Sequence, residues 1–188
     1  NGIKKPATII TQAGSNAESL GTVTLDFNED GEVTNVDGEL LKLADYKADA
    51  NALTILQPFF DKVDVFSKQG IGVTTEIGLL NPRENETSND SVRRHETILG
   101  NLITNGMLAA ARTSAPDKDI IFAVQNGGGI RDAIPVGEIT VGQVKAVLPY
   151  ANTLAMVDLK GEEIKLMFEH SVSVLPKESG GFLHVAGA

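Results

Sequence analysis

A mixed α/β (α+β) fold is predicted for this chain by three observations. From Gly70 onward, strand-like segments alternate with segments of helical periodicity, as in layered α/β domains. Two of the helical segments, 97–112 and 161–175, carry continuous apolar stripes. A short apolar run of strand length, 119–124 (DIIFAV), opens directly into Gln125-Asn126-Gly127-Gly128-Gly129-Ile130-Arg131.

Taken in order, residues 7–11 and 20–27 read as strands, the second alternating apolar and polar. Asn28-Glu29-Asp30-Gly31 is a turn leading into a strand over 32–36. Across 49–68, Leu53, Leu56, Phe60, Val63 and Ser67 recur at helical spacing, and Pro58 predicts a kink or a helix start. Residues 70–80 are strand-like. The polar stretch 83–91 (RENETSNDS) has the composition of a mobile surface loop. A helix over 97–112 is expected to bury Ile98, Leu99, Leu102, Ile103, Met107 and Ala111, with another backbone close to Gly100. Thr140 caps a short helix ending at Val147, and 153–159 is read as a strand. The 161–175 helix turns Ile164, Met167, Phe168, Ser171 and Val172 inward. The last strand, from Gly180, has no later strand to pair with, so the domain is expected to be truncated.

Charge narrows the function. With 16 Lys+Arg against 25 Asp+Glu the net charge is −9, which argues against a nucleic-acid polymer held by counterion release. A small anion remains possible, because a few local donors set the field of a cleft. The absence of cysteine excludes disulfides, thiolate metal sites and a Cys nucleophile. No apolar run approaches the ~20 residues of a membrane span, and the N-terminus has no signal-peptide profile. His95, His170 and His184 lack metal-ligand spacing, and no serine sits in a nucleophile elbow. No catalytic residue and no metal ligand is therefore assigned to this chain.

Three constellations suggest binding chemistry. In Asn126-Gly127-Gly128-Gly129-Ile130-Arg131, the glycines permit dihedrals closed to other residues and close approach to a ligand, while Arg131 offers a planar donor fork for phosphate or carboxylate. The motif lacks the ending of a Walker loop and the spacing of a dinucleotide fingerprint; a tight turn with an exposed Arg fits it equally. Tyr150 and Asn152 set an aromatic face beside an amide, a pair suited to a nucleobase, although a half-buried Tyr ending a helix fits too. Arg93 and Arg94 stand at the start of the second helix, where cations oppose the macrodipole unless an anion or a carboxylate faces them.

Together, Arg93 with Glu96-Thr97-Ile98-Leu99-Gly100-Asn101-Leu102, then 125–131, then Leu148-Pro149-Tyr150-Ala151-Asn152-Thr153, then Gly180-Gly181-Phe182-Leu183 closely resemble the C-terminal domain of the 5′-nucleotidase family. Four ordered motifs over 70–188 carry this resemblance, and 9–21 resembles the last strands of a metallophosphoesterase domain. It implies 1–47 as a remnant of that domain, 48–69 as a connecting helix and 70–188 as a substrate-binding domain. It further implies a metal-dependent hydrolase in nucleotide catabolism, with two divalent ions (Zn, Mn, Co or Mg) in a domain outside this chain and an extracellular, cell-wall or periplasmic location. This chain alone would be inactive. The implied partner is a nucleotide or nucleoside: Arg93 and Arg131 hold its anionic end, Asn126, Gly127, Gly128, Gly129 and Gly181 shape the loops, Tyr150 stacks on the base and Asn152 hydrogen-bonds it. A non-catalytic nucleoside-binding or protein-interaction module is the alternative.

Overall fold

A computed structural model describes residues 8–81 and 91–187. The chain divides into two compact units, Asn1–Phe59 and Phe60–Ala188. In the first, β1 (Ser19–Phe27) and β2 (Val33–Lys42) pair antiparallel. Their turn closes as expected: Asn28 Oδ1 accepts from the backbone N–H groups of Asp30 (3.1 Å) and Glu32 (2.8 Å). Gly31 supplies the left-handed residue, at φ +78°. Residues 8–11 form no strand, contrary to expectation.

Helix α1 (Ala50–Ser67) runs through Pro58 without ending there. Its start is set by Asp49, whose carboxylate accepts from the Ala52 N–H at 2.8 Å, well before the proline. The apolar residues that announced it, Leu53, Leu56, Phe60 and Val63, are 43–62% exposed.

In the second unit, β3 (Gly70–Thr75) pairs antiparallel with β5 (Gly137–Thr140), and β4 (Ala123–Asn126) pairs antiparallel with β6 (Leu183–Ala186). A two-way backbone bridge joins Leu79 and Ile134 at 2.8 and 2.9 Å. The last strand therefore has a partner, and it lies upstream in sequence. The helices are α2 (Ile98–Ser114), α3 (Val141–Val147) and α4 (Gly161–Val172). The predicted mixed α/β class holds, and every ladder among the described residues is antiparallel.

Two strand expectations need correction. The apolar run 119–124 becomes a strand only from Ala123, because β6 offers four partners, Leu183 to Ala186. Residues 153–159 form no strand: Leu154, Met156, Val157 and Leu159 are exposed, and no described strand pairs with them. Alternation is a necessary property of a half-buried strand but does not itself supply a neighbour. The expected polar loop lies mostly outside the described residues.

The core gathers Leu79, Val92, Leu99, Ile130, Ile134, Ile139 and Val147, with Ile103 against it. Helix α2 faces this core a little differently from the expectation. It buries Leu99, Gly100, Thr104, Leu108 and Ala111, whereas Ile98 and Leu102 are 61% and 51% exposed. The buried stripe follows the i, i+4 row from Gly100, which turns the helix so that its small residue meets the sheet. Val172 on α4 is likewise exposed, while Ser171 is buried.

Candidate functional site

Capping fixes the two helices that frame the site. The Thr97 hydroxyl accepts from the Gly100 N–H at 3.0 Å, starting α2. Thr140 and Gln143 form a reciprocal capping box at the start of α3. Arg93 and Arg94 belong to a separate turn over 92–94, four to five residues before the helix begins, so the expected conflict with the macrodipole does not arise.

The glycine turn follows β4 directly. Gly127–Gly129 make one 3₁₀ turn, and none of the three has a positive φ. Their requirement is therefore not for special dihedrals. A Cβ on Gly127 would strike the Val92 carbonyl, one on Gly128 would lie 2.9 Å from the Gly180 Cα, and one on Gly129 would strike the Gln125 amide. What comes close to these glycines is the protein itself. Backbone hydrogen bonds complete the joint: Gly127 N–H to Phe182 O (2.7 Å), Gly128 N–H to Gly180 O (2.9 Å) and Ser179 N–H to Arg93 O (3.0 Å). The Asn126 Nδ2 adds a bond to Gly180 O at 2.9 Å, and the Gly181 N–H donates to Ser179 Oγ at 3.0 Å.

Six of the predicted residues thus meet in one joint: Arg93, Asn126, Gly127, Gly128, Gly129 and, through its own turn, Gly181. Within it the Nε of Arg93 is buried and has no partner among the described residues, an orphaned donor of the kind a bound anion satisfies. Arg131 leaves the turn with its backbone N–H on Val147 O (2.9 Å) and its Nη1 3.4 Å from Gly128 O.

Beside the joint lies a cavity of about 190 Å³ lined by Met107, Gln125, Gly129, Leu148, Tyr150, Asn152, Thr153 and Leu154. That is the room of roughly six water molecules, suited to one planar ring system and below the ~300–1,000 Å³ of a complete small-molecule pocket. Gly129, Tyr150 and Asn152 meet here as the sequence suggested. Arg131 does not line this cavity; it stands at the adjoining turn, two residues in sequence from the wall residue Gly129 and joined by its backbone to the end of α3. Tyr150 is 53% exposed.

Five wall residues, Met107, Gln125, Leu148, Thr153 and Leu154, were not assigned to the site from the sequence. Gln125 opens the 125–131 motif and its Nε2 donates to Asn126 O and Oδ1 at 3.1 Å each. Met107 was read as core and is half-buried on α2 facing the cavity. The glutamine carried a weak signal as a polar residue at the end of an apolar run; the methionine carried none. His184, read as a surface or satisfied-core histidine, is 2% exposed, with Nε2 2.8 Å from the Val92 carbonyl. Burial pushes its pKa below the ordinary value of 6.5, opposed by the Val92 hydrogen bond and the Glu96 carboxylate.

No group of three or more His, Asp or Glu that could hold a metal occurs among the described residues. A dimetal centre thus does not fit the side chains that the described part of this chain provides.

A joint of three backbone segments stands beside a ring-sized cavity on a mixed α/β frame. The 5′-nucleotidase, C-terminal domain profile matches residues 70–188, and the chain belongs to that family. It is 37% identical over 183 residues to the trifunctional nucleotide phosphoesterase protein YfkN of Bacillus subtilis, covering 96% of this chain and 12% of that protein. To the human 5′-nucleotidase it is 32% identical over 191 residues, covering 95% and 31% respectively. Among solved structures, the 5′-nucleotidase precursor of Thermus thermophilus matches with a TM-score of 0.60 and 37% identity, over 94% of this chain and 33% of that one. The chain thus spans a third or less of the length of these relatives.

Proposed function

We propose that this chain is the nucleotide-recognition part of a metal-dependent, 5′-nucleotidase-like phosphoester hydrolase that acts in nucleotide catabolism. The observation that carries the reading is the cavity on which Gly129, Tyr150 and Asn152 converge, next to the joint that bears Arg93 and Arg131. A base stacked on Tyr150 gains ~1–3 kcal/mol, and the Asn152 amide both donates to and accepts from base edges. The guanidinium groups of Arg93 and Arg131 then hold the phosphate, for which planar donor forks are suited. In the same reading, residues 1–47 are the end of a metallophosphoesterase domain and 48–69 connect it to the recognition domain. Two divalent ions bound elsewhere in the protein supply the Lewis acid, and the protein works outside the cytoplasmic membrane. This chain's own residues bind and orient the nucleotide; no hydrolytic step is assigned to them, and alone the chain is expected to be inactive.

Calorimetric titration with AMP and UMP tests this. Binding at millimolar concentration or tighter, weakened at least about tenfold by Tyr150→Ala and by Arg131→Ala, is the expected result. No binding of any nucleotide at millimolar concentration overturns it.

A further inference from the structure

Among the described residues, His184 is the only titratable side chain buried in the core. It lies on β6 opposite Gln125 of β4. Its Nε2 stands 2.8 Å from the Val92 carbonyl, and because a carbonyl only accepts, Nε2 carries the hydrogen and Nδ1 the lone pair. Nδ1 is buried against the α2 backbone at Gly100 and has no partner among the described residues; any side chain at Gly100 would strike the ring. The Phe182 ring closes another side edge-on, with centroids 5.7 Å apart.

The Val92 carbonyl that His184 holds is the one pressed against Gly127, and Val92 is the residue before Arg93. One imidazole therefore joins β6, the Arg93 turn and the glycine turn. We propose that His184 is a positioning residue for the anionic end of the site: donating from Nε2 to the Val92 carbonyl, it sets the Arg93 backbone against the Gly127–Gly129 turn. This role rests on the nucleotide reading above.

The role brings a pH dependence. A second proton has only Nδ1 to go to, and there it faces Gly100 without an acceptor. The groups around the ring are the Val92 carbonyl and Glu96 carboxylate from the 91–97 segment, with Arg93, Arg94 and His95 in the same turn, the α2 backbone, Phe182 and Gln125. The folded-state pKa lies below 6.5, so the arrangement holds in full above that pH and weakens as pH falls toward the folded-state value.

The test uses protein expressed from the whole coding frame, in metal-free buffer, titrated with AMP and with adenosine. His184→Leu is expected to weaken AMP binding about five- to tenfold, the worth of one hydrogen bond, and to leave adenosine within about twofold. His184→Gln, whose amide N–H reaches the same carbonyl, is expected to restore AMP binding. The phosphate itself titrates near pH 6, so the pH effect is read between proteins. From pH 7.5 to 5.5 the wild type should lose more AMP affinity than His184→Gln. Equal weakening of AMP and adenosine by His184→Leu, or the same pH profile in His184→Gln as in wild type, overturns the role while leaving the nucleotide reading intact. Should His184→Leu not fold, the glutamine variant decides by its pH profile. A wild type that binds neither ligand overturns the nucleotide reading and this role with it.

Discussion

The glycine turn and the stretch from Leu148 to Lys160 border the same cavity and are built in opposite ways. At the turn, Gly127 and Gly129 are buried, three backbone segments exchange hydrogen bonds, and the fit leaves no room for a Cβ. Across the cavity, Tyr150, Asn152 and their neighbours are exposed and belong to no helix or strand. Under the proposed function the contrast separates two tasks. A phosphate has one shape and is always anionic, so its donors gain from being fixed before it arrives. A base ring needs only a face and an edge, which an open wall provides.

The sharpest way to break the contrast is to add one carbon at the turn. Gly127→Ala drives a methyl group into the Val92 carbonyl, a backbone atom that cannot rotate away. Urea unfolding is expected to show a loss of about 3 kcal/mol, the upper part of the usual range for overpacking. Gly100→Ala, which strikes the His184 ring, should cost a similar amount. A loss under ~0.5 kcal/mol at Gly127 would mean that the joint is loose and that the two regions do not differ.

On the open side the effect should appear in binding alone. Tyr150→Ala is expected to weaken nucleotide and nucleoside binding by about 2 kcal/mol, or roughly thirtyfold, while the unfolding midpoint stays unchanged. A variant that loses stability as well would show that Tyr150 belongs to the core.

A smaller effect sharpens the same comparison through pH. His184 titrates below its ordinary 6.5 in the folded chain, so the unfolded chain binds more protons between the two values. Stability is thus complete above pH 6.5 and falls as the solution is acidified. Thermal unfolding of the wild type should show a midpoint that falls as the pH is lowered below 6.5. His184→Gln should remove that fall. An acid profile identical in both proteins would place the titrating group elsewhere.

Legibility in the sequence followed the range of the interaction. The Asn28–Gly31 turn and the Thr140 cap are decided within four residues, and both were readable in the chain; the Thr97 cap and the Gln143 half of the capping box are as local but were not read. The motifs that face the cavity were readable as residue types. What could not be read depends on distant partners. The strand expected at 153–159 lacks a neighbour among the described residues, and the glycines of 127–129 serve contacts with Val92 and Gly180, some 35 and 52 residues away along the chain. Gly100 was expected to admit a backbone and instead admits an imidazole from residue 184. Periodicity marks which face of a helix is apolar; it carries no information about which single ring will lie across it.

The smallest expected change comes from the same helix. Gly106 lies in α2 six residues after Gly100, is exposed, and a Cβ built on it meets nothing within 4 Å. There the glycine brings only its cost, greater backbone freedom in the unfolded chain and no side chain to cover the helix. Gly106→Ala is accordingly expected to raise stability by about 0.5–1 kcal/mol, measurable as a small upward shift of the urea midpoint with unchanged slope. The two alanine substitutions should therefore have opposite signs. Glycine to alanine is not expected to destabilise either helical position by propensity, so that difference in sign points to the His184 contact and not to a general effect of glycine in α2. Equal effects at 100 and 106 would remove the imidazole from its place against the helix.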